Sequence, residues 1–218
     1  MSGRPLLVTD CDEVLLHMVT PFRDWLHEEK NIEFRYDGAD FSKALVDRSS
    51  GETVAQAEIW ALLNGFFDGQ MHRQGAIAGA VESISRISEV ADVVILTNLL
   101  DHRQQSRSDQ LRAHGIDFPV VCNQGPKGEP LRRILDEYRP AVALFIDDLP
   151  QHHQSAAEHA PECWRLHMIG EVALAPHVAC AEERGHAHAR IDDWDSALPW
   201  ILARLEEGVP APLLETAN

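Results

Sequence analysis

The sequence predicts a doubly wound α/β fold built on a parallel sheet and interrupted by an inserted, mainly helical segment. Three observations carry this expectation. Short apolar runs rich in β-branched residues recur, each followed by a polar turn and a helical pattern, which is how parallel strands joined by crossover helices read. Polar residues of reactive types stand where these runs end, the place at which open α/β sheets assemble their sites. About eighty residues separate the first run from the second, far more than a plain crossover requires.

The first strand is predicted over residues 5–10, where Leu6, Leu7 and Val8 lead into Asp10. Further strands are expected at 92–98, 118–123, 141–148 and 164–168, with a weaker edge strand near 189–191. Helical spacing marks 102–114, 128–138 and 151–159 between them, and Gly115 and Pro140 act as stop signals. Such alternation is Rossmann-like. Within the long interval, residues 21–30 and 54–67 carry apolar side chains at helical spacing, including Phe22, Trp25, Ile59, Trp60 and Phe66, around a polar connector at 47–52. Trp60 is expected in the core of that insertion. An amphipathic helix at 195–207 closes the chain's core. The division expected is a Rossmann-like core of residues 1–16 and 91–208, an inserted helical segment at 17–90, and a frayed tail at 209–218.

Composition narrows the partners. A chain of 218 residues that is 44% hydrophobic is long enough for one substantial core with a smaller insertion. Thirty-five acidic residues against nineteen basic ones give a formal charge of -16, which repels phosphate backbones and anionic lipid surfaces. Neither nucleic acid nor membrane is therefore an expected partner. The oligomeric state is not legible. Cys11, Cys122, Cys163 and Cys180 are scattered, with no C-x-x-C pair, and the apolar stretch at the start is too short for a leader or a spanning segment. A reducing, cytoplasmic setting is the expectation. Among the twelve histidines, His152-His153 and His186-x-His188 complete no metal-ligand motif; the first two read as surface residues on a helix and the second two fall in a Gly-containing loop.

The chemistry is concentrated at the strand ends. The first strand ends in Asp10-Cys11-Asp12-Glu13-Val14, the second in Thr97-Asn98 and the fourth in Asp147-Asp148, and Lys127 opens a helix after the turn at 123–126. Each piece alone is weak, since an Asp at a strand end also caps helices and Thr or Asn also bonds local backbone. Their order, spacing and placement make the joint pattern specific.

In that order the pieces resemble the four motifs of the haloacid dehalogenase superfamily: D-x-D-x-V/T, a strand-terminal Thr or Ser, a helix-start Lys and an acidic pair. The resemblance spans residues 5–148 and implies a Mg²⁺-dependent phosphatase acting on a small phosphorylated metabolite, such as a sugar phosphate or a nucleoside monophosphate. It implies that Asp10 is the nucleophile and becomes transiently phosphorylated, and that Asp12 exchanges protons with the leaving group and with water. Thr97 and Asn98 would bind the transferring phosphoryl group, with Lys127 neutralising it and orienting Asp10. Asp10, the Asp12 backbone carbonyl, Asp148 and, directly or through water, Asp147 would hold the metal. Asp12 argues against halide displacement, which needs no proton. Glu13 stands where many relatives carry Gly, and Gln151 where some carry a further Asp. The insertion occupies the position of the helical cap in one subclass, where the cap closes over the site and contacts substrate; Arg23, Arg48, Trp60, Asn64 and His72 are candidates for such contacts. A phosphomutase would use the same residues, and a non-catalytic binding protein could keep the fold; both stay open at this point.

Overall fold

The run Leu6, Leu7, Val8 and Thr9 has no solvent exposure on either face, as a strand covered by helices on both sides requires. It is β1 (Leu6–Thr9), the first element of a computed structural model that describes residues 3–35 and 43–214. The chain continues through α1 (Val19–Trp25), a π-helical turn (Leu26–Lys30), β2 (Ile32–Phe34), β3 (Leu45–Asp47), α2 (Gln56–Gly69) and α3 (Ala80–Ser88). There follow β4 (Asp92–Thr97), α4 (Gln104–Ala113), β5 (Val120–Cys122), α5 (Gly128–Tyr138), β6 (Ala143–Asp147), α6 (Pro150–His159), β7 (Trp164–His167), β8 (Ala189–Arg190) and α7 (Trp194–Glu207).

Six strands form one sheet in the order β5-β4-β1-β6-β7-β8, all parallel. The chain winds outward from β1 to β5, returns beside β1 as β6, and winds out the other way. β1 is therefore the switch point, and the carboxyl ends of β1, β4 and β6 frame the crevice. Period-two alternation assigns the faces. Leu7, Val93, Ile95, Leu144 and Ile146 pack with Ile84 and Ile87 of α3 and Ile201 and Leu205 of α7. Leu6, Val8, Val94, Leu96 and Phe145 pack with Leu131 and Leu135 of α5 and Ala156 of α6.

The insertion has its own apolar cluster, in which Val19, Phe22, Trp25 and Leu26 meet Ile32, Leu45, Ile59 and Phe66. Two of its features differ from the sequence reading. β2 and β3 form an antiparallel pair, Ile32 opposite Asp47 and Phe34 opposite Leu45, too short to show a period-two pattern in sequence. Trp60 is 60% exposed rather than in the core, because α2 turns Ile59 and Phe66 inward and leaves Trp60 outside that stripe. Ala76, Ile77 and α3 pack with the sheet's cluster rather than with that of the insertion. Beyond α7 the chain stays attached: Ala211 N–H donates to Glu162 O, and the carbonyls of Val209 and Pro212 accept from Trp164 and meet His188. The tail's last residues, 215–218, lie outside the described residues. No helix among the described residues is long and apolar enough to cross a membrane.

Candidate active site

The switch point brings together what the sequence separates by well over a hundred positions. Asp10 directly follows β1 and its amide donates to Ile146 O at 2.8 Å, which locks the end of β1 to β6. Its Oδ1 accepts from Cys11 N at 2.6 Å, and its Oδ2 lies 2.8 Å from Lys127 Nζ. The same ammonium lies 2.7 Å from Asp147 Oδ2, while Asp147 Oδ1 accepts from Leu149 N at 2.9 Å. Asp10, Asp147 and Asp148 each offer an oxygen, all within 4.8 Å of one another, and all three residues are buried.

Lys127 reaches this point because α5 starts against α6. Gly128 N donates to Ser155 Oγ at 3.0 Å, and a Cβ on Gly128 would stand 2.2 Å from Ser155 O. Only a residue without a side chain permits that approach. Thr97, at the end of β4, is fully buried with its Oγ1 unpartnered, and Asn98 Nδ2 donates to Gly125 O at 3.0 Å while standing 3.3 Å from His152 Nε2. The residues of the four motifs thus lie at neighbouring strand ends or at the α5 start.

Electrostatics sort the carboxylates. Burial pushes the Asp10 carboxyl up to about 7, against the pull of Lys127 and with Asp147 and Asp12 adding to the rise. Burial, reinforced by Asp147 and Asp10, holds Asp148 well above the usual carboxylate range. Asp147 goes the other way: burial would raise it, but Lys127 together with His152 and His153 brings it below its ordinary value. Burial alone would lower Lys127, but Asp10 and Asp147 hold it above its ordinary value. One ammonium thus faces three buried carboxylates, an arrangement short of positive charge and composed of oxygen donors. That donor set suits a hard divalent cation such as Mg²⁺.

Several contributors were not legible in the sequence. Arg107, fully buried on α4, places Nη2 3.0 Å from Asp12 Oδ1 and 3.1 Å from Oδ2, and Gln74 Nε2 donates to Oδ1 at 2.7 Å. Arg107 Nη1 also lies 3.3 Å from Cys11 Sγ, and its guanidinium sits over the Phe67 ring at 5.7 Å. Burial raises the Cys11 thiol far above its ordinary value despite that guanidinium, which disfavours the thiolate. An Arg inside a polar stretch of helix carries no sequence signal of burial. Nor do the histidines behind the acidic pair: His152 and His153 are buried rather than on the surface, and His153 and His167 point Nε2 at the carbonyls of Asp147 (3.0 Å) and Asp148 (2.8 Å). Ala181 N donates to His167 Nδ1, so His167 is neutral with its proton on Nε2. Among the cap candidates, Asn64 Oδ1 accepts from buried Arg103 at 2.9 Å, which ties α2 to the core.

No protein-family model matches the sequence, and no curated protein matches it. Solved structures do share the architecture. A conserved haloacid dehalogenase-like protein of unknown function from Agrobacterium tumefaciens superposes with a TM-score of 0.62 at 16% identity, over 94% of this chain and 100% of the other. A predicted phosphoglycolate phosphatase from Haemophilus somnus gives 0.59 at 15% identity, over 90% and 97%. The haloacid dehalogenase-type protein YfnB of Bacillus subtilis, solved with magnesium bound, gives 0.59 at 17% identity, over 93% and 100%. The chain therefore has the fold of the haloacid dehalogenase-like hydrolases.

Proposed function

We propose that the protein is a Mg²⁺-dependent phosphomonoester hydrolase that works through an aspartyl phosphate on Asp10. The observation that carries this reading is the convergence of Asp10, Asp147, Asp148 and Lys127 at the switch point of this fold. Asp10 attacks phosphorus in line with the leaving oxygen, and the bond to that oxygen breaks as Asp12 transfers a proton to it. Asp12 then takes a proton from water, whose oxygen displaces Asp10 and releases phosphate. Thr97, with a buried hydroxyl that has no partner, and Asn98 receive the phosphoryl oxygens. Lys127 fixes the Asp10 carboxylate and offsets its charge. Asp10, the Asp12 carbonyl and Asp148 would hold Mg²⁺, with Asp147 acting through water, and the ion would supply charge neutralisation for the phosphoryl group.

Residues 17–75, with their separate apolar cluster, act as the cap over this site. The substrate class is a small phosphorylated metabolite, a sugar phosphate or nucleoside monophosphate. The four cysteines are free, which fits a reducing cytoplasmic setting. The test is phosphate release from a panel of phosphomonoesters with Mg²⁺, with EDTA and with Asp10→Asn. Metal-dependent release, lost in the variant, is the expected result; no release from any ester in the panel would contradict the reading.

A further inference from the structure

A second group of ligating side chains meets where the turn after β1 passes under the start of the insertion. Glu13 is only 1% exposed, and its Oε1 accepts from the amides of Met18 (2.8 Å) and Val19 (2.5 Å), at the start of α1. Its Oε2 is buried and has no hydrogen-bond partner. His17 Nδ1 is buried without a hydrogen bond as well, and it stands 3.3 Å from Glu171 Oε2. A carboxylate oxygen of Glu13, a ring nitrogen of His17 and a carboxylate oxygen of Glu171 all lie within 4.8 Å of one another. The buried Glu13 Oε2 is costly unless something satisfies it, and His17 Nδ1 has only the Glu171 carboxylate at 3.3 Å to face.

We propose that Glu13, His17 and Glu171 form a binding site for a divalent first-row transition-metal ion, separate from the aspartate cluster. Two carboxylates balance the charge of such an ion, and the imidazole nitrogen favours Mn²⁺, Co²⁺ or Zn²⁺ over Mg²⁺ or Ca²⁺, which prefer oxygen throughout. Two ligands bound at about 2.1 Å in tetrahedral geometry stand about 3.4 Å apart, close to the His17–Glu171 separation of 3.3 Å. Thr20 Oγ1 donates to Glu171 Oε2 at 2.7 Å and orients that carboxylate, the kind of outer contact that metal ligands use. His17, Thr20 and Glu171 line a surface cleft of about 470 Å³, which gives an ion a way in.

The site explains Glu13. The residue holds a left-handed backbone, φ 59°, and the cap on α1 uses only its Oε1, so an ion would give the second oxygen its partner. Its three ligands come from the turn after β1, the first residues of the insertion and the loop after β7. An ion there ties the insertion's entry to the core, next to the bond that Gly170 N donates to Glu13 O at 2.7 Å.

The inference is independent of the phosphatase reading, and the test keeps them apart. Co²⁺ is titrated by calorimetry and visible absorbance into the full chain, into His17→Ala and Glu171→Gln, and into Asp148→Asn. Each of the first two variants is expected to lose one equivalent of bound Co²⁺ together with the visible band of a nitrogen-ligated ion, which Asp148→Asn retains. Glu13→Gln is not the deciding variant because Glu13 also caps α1; His17 and Glu171 are partly exposed, and circular dichroism checks their folding. Equal stoichiometry and spectra in wild type, His17→Ala and Glu171→Gln would overturn the site and leave the orphaned atoms to water.

Discussion

Asp12 shows how much a residue's role depends on neighbours that are remote in sequence. Its Oδ2 accepts from Arg107 Nη2, which also stands 3.0 Å from Oδ1, and Oδ1 accepts from Gln74, so the carboxylate is held in one orientation by donors that cannot accept a proton back. Asp12→Asn is expected to slow turnover of alkyl phosphates by about 10²–10⁴-fold, the usual worth of a positioned acid–base group, with the fold intact. Arg107→Met leaves the Asp12 carboxylate without its cation and is expected to cost about 3 kcal/mol in urea unfolding as well as turnover. A variant with unchanged stability would show that this buried pair is not what anchors the turn. His188 gives a pH prediction at the same scale. It accepts from Arg165 N at Nδ1 and meets Pro212 O at Nε2, so it is neutral, and burial, with Arg165 adding to it, pulls it down to about 4 from 6.5. A histidine depressed on folding contributes stability that is full above pH 6.5 and is lost as pH falls toward 4. Between pH 7 and pH 5 the wild type should lose about 1 kcal/mol more than His188→Gln, a figure already reduced for partial solvent exposure. Equal losses in the two proteins would contradict it.

Among the elements, α5 decides where Lys127 stands. The sequence run Gly125, Pro126, Lys127 and Gly128 leaves the helix start ambiguous, and the structure resolves it through Gly128, whose missing Cβ admits α6. Gly128→Ala must push α5 away from Ser155, and it is expected to cost about 1–3 kcal/mol and to displace the ammonium from Asp10. Wild-type melting together with wild-type kinetics in this variant would show that the helix contact has slack. Elements with long, strongly patterned runs were legible: β1, β4, β6 and β7 lie within a residue or two of their expected bounds, as do α5 and α6. β2, β3 and α3 were not. The first two are three residues each, below the length at which alternation can be recognised, and α3 sits in an interval read as insertion.

At the scale of the whole molecule, the sheet order does the assembling. Asp10, Thr97 and Asp147 are far apart in the chain yet end three adjacent strands, because β4 and β6 flank β1. That much followed from strand-end placement in the sequence, as did the basic residue opposite the acids. What the sequence withheld is the layer beneath: Arg107, Gln74, His153 and His167 act through burial and orientation, and single polar letters in helices and strands do not announce either. The surplus of negative charge over the molecule bears on the proposal in the same way: an acidic surface would repel the anionic substrate proposed above, and Lys127 with a divalent ion would have to reverse that field in the crevice.

The most direct measurement is mass spectrometry of the chain quenched in acid during turnover of a phosphomonoester with Mg²⁺. One phosphoryl group on the peptide carrying Asp10, absent in Asp10→Asn and accumulating in Asp12→Asn with an aryl phosphate whose departure needs no proton, is the result predicted. Phosphate release at full rate from Asp10→Asn, or a phosphoryl group on any other residue, would contradict the account.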